Sequence, residues 1–90
     1  MKYSFKASKT FWRNYDKLSP EEKAVAKEKF AIFKKDPFDP KLGTHKINKL
    51  SARAKRIVYS AEVAGDLRAV FYKEHNVIFT FDIGDHNIYK

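Results

Sequence analysis

The spacing of apolar residues changes along the chain from a helical repeat in the first half to strand-like alternation in the second. The apolar positions of the first half form two sets at helical spacing: Phe11, Tyr15 and Leu18, then Ala26, Phe30 and Phe33. A short alternating segment at 2–6 precedes them, and from residue 57 the period is two. The pattern therefore predicts one strand, then two helices, then a group of strands.

Capping signals place the ends of the two helices. Ser8 is suited to accept a hydrogen bond from the first turn of the first helix. Ser19, three positions before Glu22, has the spacing of a capping box at the start of the second helix. Because Pro37 disfavours helical geometry at the residue before it, the second helix should end near Asp36.

The second half of the chain predicts three antiparallel strands at 57–63, 67–73 and 77–83, joined by three-residue loops. With Val63 opposite Leu67 and Lys73 opposite Val77, one sheet face is apolar. Its members are Tyr59, Ala61, Val63, Leu67, Ala69, Phe71, Phe79, Phe81 and Ile83. The helices are the available cover for this face. We therefore expect one small α+β domain over residues 1–90, ordered β-α-α-β-β-β, with an N-terminal helical hairpin packed on one face of a mainly antiparallel twisted sheet.

The same register predicts a polar row on the other sheet face. Glu62, Arg68 and Asp82 would lie side by side across three strands. One interpretation is a cross-strand ion pair that helps to fix the register. The other is a guanidinium held by carboxylates and shaped for bidentate contact with a phosphate. The row by itself is compatible with both.

Charge favours a polyanionic partner. The chain carries 19 Lys and Arg against 11 Asp and Glu, a formal net charge of +8. The excess is concentrated at 41–56, which has six bases and no acid: Lys41, Lys46, Lys49, Arg53, Lys55 and Arg56. Such a stretch suits nucleic acid, a ribosome or an acidic protein, although a solvated basic loop has the same composition.

Composition excludes several classes of site. Cysteine is absent, which removes disulfides, thiolate nucleophiles and cysteine metal sites. The three histidines, His45, His75 and His86, lack ligand spacing, so we expect no metal or cofactor. No apolar run reaches the roughly 20 residues of a spanning helix, and residues 1–6 do not resemble a signal peptide, so we expect a cytoplasmic protein without a membrane partner.

Near the end of the chain, His86 and Tyr89 are candidate functional residues. His86 follows the last predicted strand, close in sequence to Asp82, and an imidazole can exchange a proton near neutral pH. Tyr89 is suited to stack on a base, although packing of the chain end would use it equally well. His75 is expected in a hairpin turn and has no assigned role, whereas His45 lies in the basic stretch and its role stays open.

The order of elements and three short motifs resemble the RelE/ParE superfamily of bacterial toxins. The motifs are 65–71 (GDLRAVF), 83–89 (IGDHNIY) and 45–50 (HKINKL). The resemblance covers nearly the whole chain. It implies the toxin of a type II toxin–antitoxin pair, with a cognate antitoxin as its partner.

In the branch of this superfamily that cleaves mRNA on the ribosome, the ribose 2′-OH attacks the adjacent phosphate. The resemblance then implies that Arg68 stabilises the charged phosphorane, that His86 transfers a proton or stabilises charge, and that Tyr89 orients the substrate. Glu62 has no secure counterpart in the family, but its strand position suits a general base. Lys46 and Lys49 match a segment that often supplies basic contacts, and Arg53, Lys55 and Arg56 continue the same basic stretch.

We expect a ribosome-dependent endoribonuclease, an mRNA interferase, because His86 and Tyr89 match that branch. The sequence departs from the best-defined catalytic sets of the branch, since no second Arg stands beside His86 and Asp82 brings a negative charge near Arg68. Two alternatives stay open. One is a ParE-like inhibitor of DNA gyrase without nuclease activity, and the other is a solitary, non-toxic family member that only binds an antitoxin-like partner.

Overall fold

The computed structural model describes residues 3–85, which form a five-stranded sheet with three α-helices and a 3-10 turn. The elements in chain order are β1 (Ser4–Ala7), α1 (Lys9–Asp16), α2 (Pro20–Lys35), the 3-10 turn Pro40–Leu42, β2 (His45–Lys46), α3 (Asn48–Ala54), β3 (Val58–Ala64), β4 (Leu67–Glu74) and β5 (Val77–Gly84). The predicted α+β class is confirmed.

The sheet has the strand order β1-β5-β4-β3-β2. Strand β1 runs parallel to β5, and the other three neighbouring pairs are antiparallel. The sheet is therefore mainly antiparallel, as predicted, with β1 at one edge and β2 at the other.

Both predicted helix starts are formed by serine caps. The Ser8 hydroxyl accepts a hydrogen bond from the backbone N–H of Phe11 at 3.0 Å and donates one to the carbonyl of Phe81 at 2.7 Å, which ties α1 to β5. Ser19 and Glu22 form the complete capping box, and α2 ends at Lys35, before Asp36. These caps fix where the two long helices begin.

Helices α1 and α2 cover one face of the sheet, which we call the helix face. Phe11 and Ala26 are buried there against a group of strand residues, Val63, Leu67, Ala69 and Ile83. Phe33 packs with Phe71, Ile78, Ala61 and Leu42 in a second cluster. The opposite side of the sheet carries Arg68, and we call it the Arg68 face.

The predicted register of β3 and β4 is confirmed through the body of the hairpin, where Glu62 lies opposite Arg68 and Ala61 opposite Ala69. The predicted three-residue loops are wrong, since each turn has two residues between the strand ends. At the first turn Ala64, rather than Val63, pairs with Leu67, and an irregularity between Glu62 and Ala64 restores the predicted pairing.

The predicted register of β4 and β5 is wrong. Tyr72 lies opposite Phe79, one residue away from the predicted pairing. Between Thr80 and Asp82 the pairing shifts again, so the end of β5 after Thr80 is displaced by one further residue. Phe79 therefore lies on the Arg68 face beside Tyr72, and Ile78 takes its place on the helix face. Phe81, also predicted on the apolar face, is the unpaired residue of this β-bulge.

The basic stretch is more structured than the loop that its composition predicts. It contains the 3-10 turn, β2 and α3. No residue of α3 is fully buried, so the helix has no apolar stripe strong enough to mark it in the sequence.

Candidate functional site

Arg68 sits near the start of β4, where the tight turn at Gly65 and Asp66 returns the chain into the sheet. Its Nη1 donates a hydrogen bond to the carbonyl oxygen of Gly65 at 2.7 Å, and its side chain is only 19% exposed. Gly65 has φ +51°, a left-handed conformation that glycine adopts without steric cost. The turn thus orients the guanidinium at the end of the β3–β4 hairpin.

Glu62 faces Arg68 from β3. Its Oε1 lies 3.7 Å from Nη2 of Arg68, while its side chain is 53% exposed. The exposure and the length of this contact make it a weak ion pair. A carboxylate held beside a guanidinium in this way keeps access to solvent and to a substrate.

Gly43 lies directly against the Glu62 carboxylate. A Cβ atom on Gly43 would come within 2.9 Å of Oε2 of Glu62, and Gly43 has φ +55°. The left-handed conformation favours glycine at this position, and an added Cβ would displace the end of the Glu62 side chain. The turn that leads into β2 therefore shapes the space available to the Glu62 side chain.

The predicted row of Glu62, Arg68 and Asp82 is not formed. Arg68 lies opposite Gly84, and Asp82 lies opposite Val70. The Asp82 carboxylate accepts hydrogen bonds from the side-chain amide of Asn14 at 2.6 Å and from the backbone N–H of Ile83 at 2.8 Å. Asp82 thus links α1 to β5, and the shifted register makes it a diagonal rather than a direct neighbour of Arg68.

His45, whose role the sequence leaves open, lies on the Arg68 face. It pairs with Ser60 on β3, next to the position of Glu62. Its Nδ1 is 3.0 Å from the carbonyl oxygen of Gly43. Because a carbonyl only accepts, Nδ1 carries the hydrogen in this contact, and in the neutral imidazole Nε2 is then the acceptor nitrogen. In the sequence, the only sign that His45 lies near the site was its position in the HKINKL motif.

The basic residues predicted to bind RNA divide between different surfaces. Lys46 pairs with Tyr59 at the β2 edge, so it projects on the helix side of the sheet rather than beside Arg68. Lys49 and Arg53 are one turn apart on α3 and are both exposed. Lys55 ends α3 with φ +58° and is exposed.

Arg56 contacts two side chains of β4 on the Arg68 face. Its guanidinium carbon lies 4.3 Å from the ring centre of Tyr72, a cation–π arrangement, and its Nη1 is 3.4 Å from the Glu74 carboxylate. The Tyr72 ring in turn stacks on Phe79 at 5.2 Å. Sequence reasoning missed these aromatic residues because the wrong β4–β5 register placed Phe79 on the helix face.

His86 and Tyr89, the two remaining predicted site residues, lie outside the described residues. Their roles stay predictions. Within residues 3–85, no group of three or more His, Asp and Glu side chains is arranged to hold a metal ion. Over the same range, no helix has the length and apolarity needed to cross a membrane.

A second surface feature lies between β1 and the two long helices. This apolar cleft has a volume of about 680 Å³. Phe5, Phe11, Trp12 and Phe30 contribute to its walls, and lysines of α2 and β1 lie at its rim. Trp12 is 53% exposed, an unusual position for the largest apolar side chain of the protein.

Solved structures of toxins share this architecture. A chain of the archaeal RelE–RelB complex from Pyrococcus horikoshii OT3 superposes with a TM-score of 0.71 at 18% identity, over 94% of this chain and 96% of that chain. The protein has a RelE-like fold. The fold that the resemblance implies is thereby confirmed.

Two structures from Helicobacter pylori support the same assignment. A copper-bound mutant toxin has a TM-score of 0.63 at 16% identity, over 96% of this chain and 97% of that chain. A conserved hypothetical protein also has a TM-score of 0.63, at 19% identity, over 94% and 96%. No protein-family model matches the chain, and no curated protein matches it significantly. The similarity to RelE-like proteins is thus clear in the structure and weak in the sequence.

Proposed function

We propose that this RelE-like protein is the toxin of a toxin–antitoxin pair and an endoribonuclease that cleaves translated mRNA on the ribosome. The observation that supports this most directly is the placement of Arg68. The Arg68 side chain is largely buried and its guanidinium is oriented by the Gly65 carbonyl, with the half-exposed Glu62 carboxylate beside it, on one face of a strongly basic RelE-like domain. A cation next to a proton acceptor is what attack of a 2′-hydroxyl on a phosphate requires.

In the proposed reaction, Glu62 takes the proton of the ribose 2′-OH as its oxygen forms a bond to phosphorus. Arg68 stabilises the negative charge that develops on the phosphoryl oxygens. The bond from phosphorus to the 5′-oxygen then breaks, and His86 supplies the proton to that oxygen. The products are a 2′,3′-cyclic phosphate and a downstream fragment with a 5′-hydroxyl, so protons and electrons balance without a cofactor.

The basic surface supplies the attraction for an RNA-rich target. The net charge of +8, with the exposed Lys49 and Arg53 on α3, raises the local concentration of a polyanion. Binding in a ribosomal site would hold mRNA in the geometry that the attack needs. We place this activity in the cytoplasm, where translation occurs.

The partner in this proposal is a cognate antitoxin. The neighbour from Pyrococcus horikoshii was solved as a RelE–RelB complex, and this chain offers an apolar cleft with a cationic rim. An antitoxin segment with apolar and acidic residues would match that cleft while folding onto the protein. We expect tight binding that weakens as salt concentration rises.

Inducible expression in a bacterium tests the proposal. The wild type is compared with an Arg68→Ala/His86→Ala double variant and with Arg13→Ala, which removes an exposed arginine from α1. We expect growth arrest and new mRNA 5′ ends by primer extension for the wild type and Arg13→Ala, and loss of both for the double variant. Circular dichroism is used to check that each variant is folded.

Other results would contradict the nuclease. Arrest that survives the double substitution without mRNA cleavage would favour inhibition of DNA gyrase, which a supercoiling assay with purified gyrase then measures directly. Absence of any growth phenotype, with the wild-type protein expressed and folded, would favour a non-toxic family member.

A further inference from the structure

Four side chains form a continuous row across the Arg68 face. Arg56 lies over the Tyr72 ring at 4.3 Å, and Tyr72 stacks on Phe79 with ring centres 5.2 Å apart and planes 22° apart. Lys6 on β1 is the register partner of Phe79 on β5. The order across the sheet is thus cation, ring, ring, cation, and we call this the stacked row.

The stacked row is not part of either buried cluster on the helix face. Tyr72 and Phe79 are both only partly buried. Next to them lies a cleft of about 340 Å³. Its walls are formed by Lys6, Tyr72, Glu74, His75, Val77 and Phe79. The cleft therefore combines aromatic surface with polar groups.

The charges of the row favour an anionic ligand. The carboxylate of Glu74 is matched by Arg56, which is 3.4 Å away, so Lys6 remains as the additional charge at the cleft. Arg56 is also the last residue of the acid-free basic stretch at 41–56. A flat apolar surface bordered by cations suits a ligand that has an aromatic face and a phosphate.

We propose that this cleft binds an unpaired base of single-stranded RNA. The base stacks on the face of Phe79 that is turned away from Tyr72, with the Tyr72 ring supporting Phe79 from behind and the phosphate backbone near Lys6. Stacking of this kind is tolerant of sequence, since every base presents a π-face. The inference rests on the proposed function, because it assumes that the substrate is RNA. It adds a binding contact that lies away from the reacting phosphate.

The position of the row relative to Arg68 fits a flanking nucleotide. Tyr72 lies four residues after Arg68 on the same strand and the same face, about 13 Å away at roughly 3.3 Å per residue. A strand of RNA with its scissile phosphate at Arg68 would therefore place a neighbouring nucleotide, rather than the reacting one, at the stacked row.

The test is fluorescence titration with a short single-stranded RNA that is 2′-O-methylated throughout and contains 2-aminopurine. The modification removes the attacking hydroxyl, so the readout is binding and stacking without cleavage. We expect the wild type to quench the 2-aminopurine. Tyr72→Leu and Phe79→Leu should each weaken binding about tenfold or more and reduce the quenching. Tyr72→Phe keeps the ring and should bind as the wild type does.

Phe38→Leu is the matched control, because it removes a partly exposed aromatic ring that lies outside the cleft and packs against Tyr59 and Phe71 on the helix face. Equal affinity for the wild type, the two leucine variants and the control would overturn the proposal, as would no binding by the wild type. Leucine variants that are folded, bind the RNA normally and lose an antitoxin would also overturn it, and assign the row to that partner. Cleavage of translated mRNA by the same variants is scored separately, so the nuclease and the stacked row can fail independently.

Discussion

Arg68 and Glu62 lie directly opposite each other on β4 and β3, with Nη2 of the arginine 3.7 Å from Oε1 of the glutamate. The arginine is largely buried and the glutamate half-exposed, so the two ends of this pair differ in what they can do. Arg68 is held in place by the Gly65 carbonyl, whereas the Glu62 carboxylate is accessible to a ligand. The ion pair therefore contributes little to the stability of the hairpin.

Glu62→Gln tests whether this carboxylate is the proton acceptor. We expect the rate of mRNA cleavage on purified ribosomes to fall about 10²- to 10⁴-fold, the usual contribution of a positioned base. The free energy of unfolding should change by less than about 1 kcal/mol, because the lost ion pair is exposed. His45→Gln is the comparison on the same face. If that variant loses the activity and Glu62→Gln keeps it, the acceptor is Nε2 of His45.

Two glycine substitutions separate backbone strain from an effect on the site. Gly43 and Gly65 both have positive φ, +55° and +51°, so alanine at either position should destabilise the fold by roughly 1–2 kcal/mol. Only at Gly43 does the added Cβ meet Glu62, at 2.9 Å, while a Cβ at Gly65 has no atom within 4 Å. Thermal denaturation should thus show similar losses for both variants, and cleavage should fall only for Gly43→Ala. Equal cleavage by the two would show that Gly43 does not shape the site.

The exposed bases of α3 should contribute to RNA affinity without sequence preference. We expect a Lys49→Ala/Arg53→Ala double variant to reduce the slope of log K against log[salt] by about 1.4, because each phosphate contact to a single strand contributes about 0.7. The matched control is Lys9→Ala/Arg13→Ala, which removes the same two residue types at the same spacing from α1. Filter binding of single-stranded RNA at several salt concentrations gives the slopes. Identical slopes for the two double variants would contradict a specific contribution from α3.

Much of the fold could be predicted because its signals are local. Ser8 and Ser19 cap the helices that the sequence assigned to them, and Pro37 limits the second helix as expected. The pairing of Glu62 with Arg68 could also be predicted, because a one-residue slip in this hairpin would mix apolar and polar positions on both faces.

The candidate site was harder to predict, because parts of it depend on irregular features. The β-bulge at Phe81 moves Asp82 out of the position opposite Arg68 and toward Asn14. No pattern in the sequence predicts such a bulge. The stacking of Tyr72 and Phe79 was missed for a different reason, because the turn at His75 and Asn76 has two residues where the sequence predicted three. Helix α3 was missed for another reason, since it buries no residue fully and so lacks a strong apolar repeat.

Trp12 gives the sharpest test of whether an antitoxin binds in the apolar cleft. Its side chain is 53% exposed at the wall of the apolar cleft between β1 and the two long helices. Large aromatic side chains in such positions dominate the energy of many interfaces. Trp12→Ala should therefore weaken binding of a cognate antitoxin by a factor of about 30 or more, equivalent to roughly 2 kcal/mol.

The control for this prediction is Ile57→Ala, which truncates another exposed apolar side chain, 50% exposed and outside the cleft. Isothermal titration calorimetry with the antitoxin measures both variants against the wild type, and thermal denaturation checks that each is folded. An affinity that drops equally in the two variants, or in neither, would place the antitoxin elsewhere. If only Trp12→Ala loses affinity for the antitoxin and its mRNA cleavage is unchanged, the antitoxin binds at a surface distinct from the face that carries Arg68.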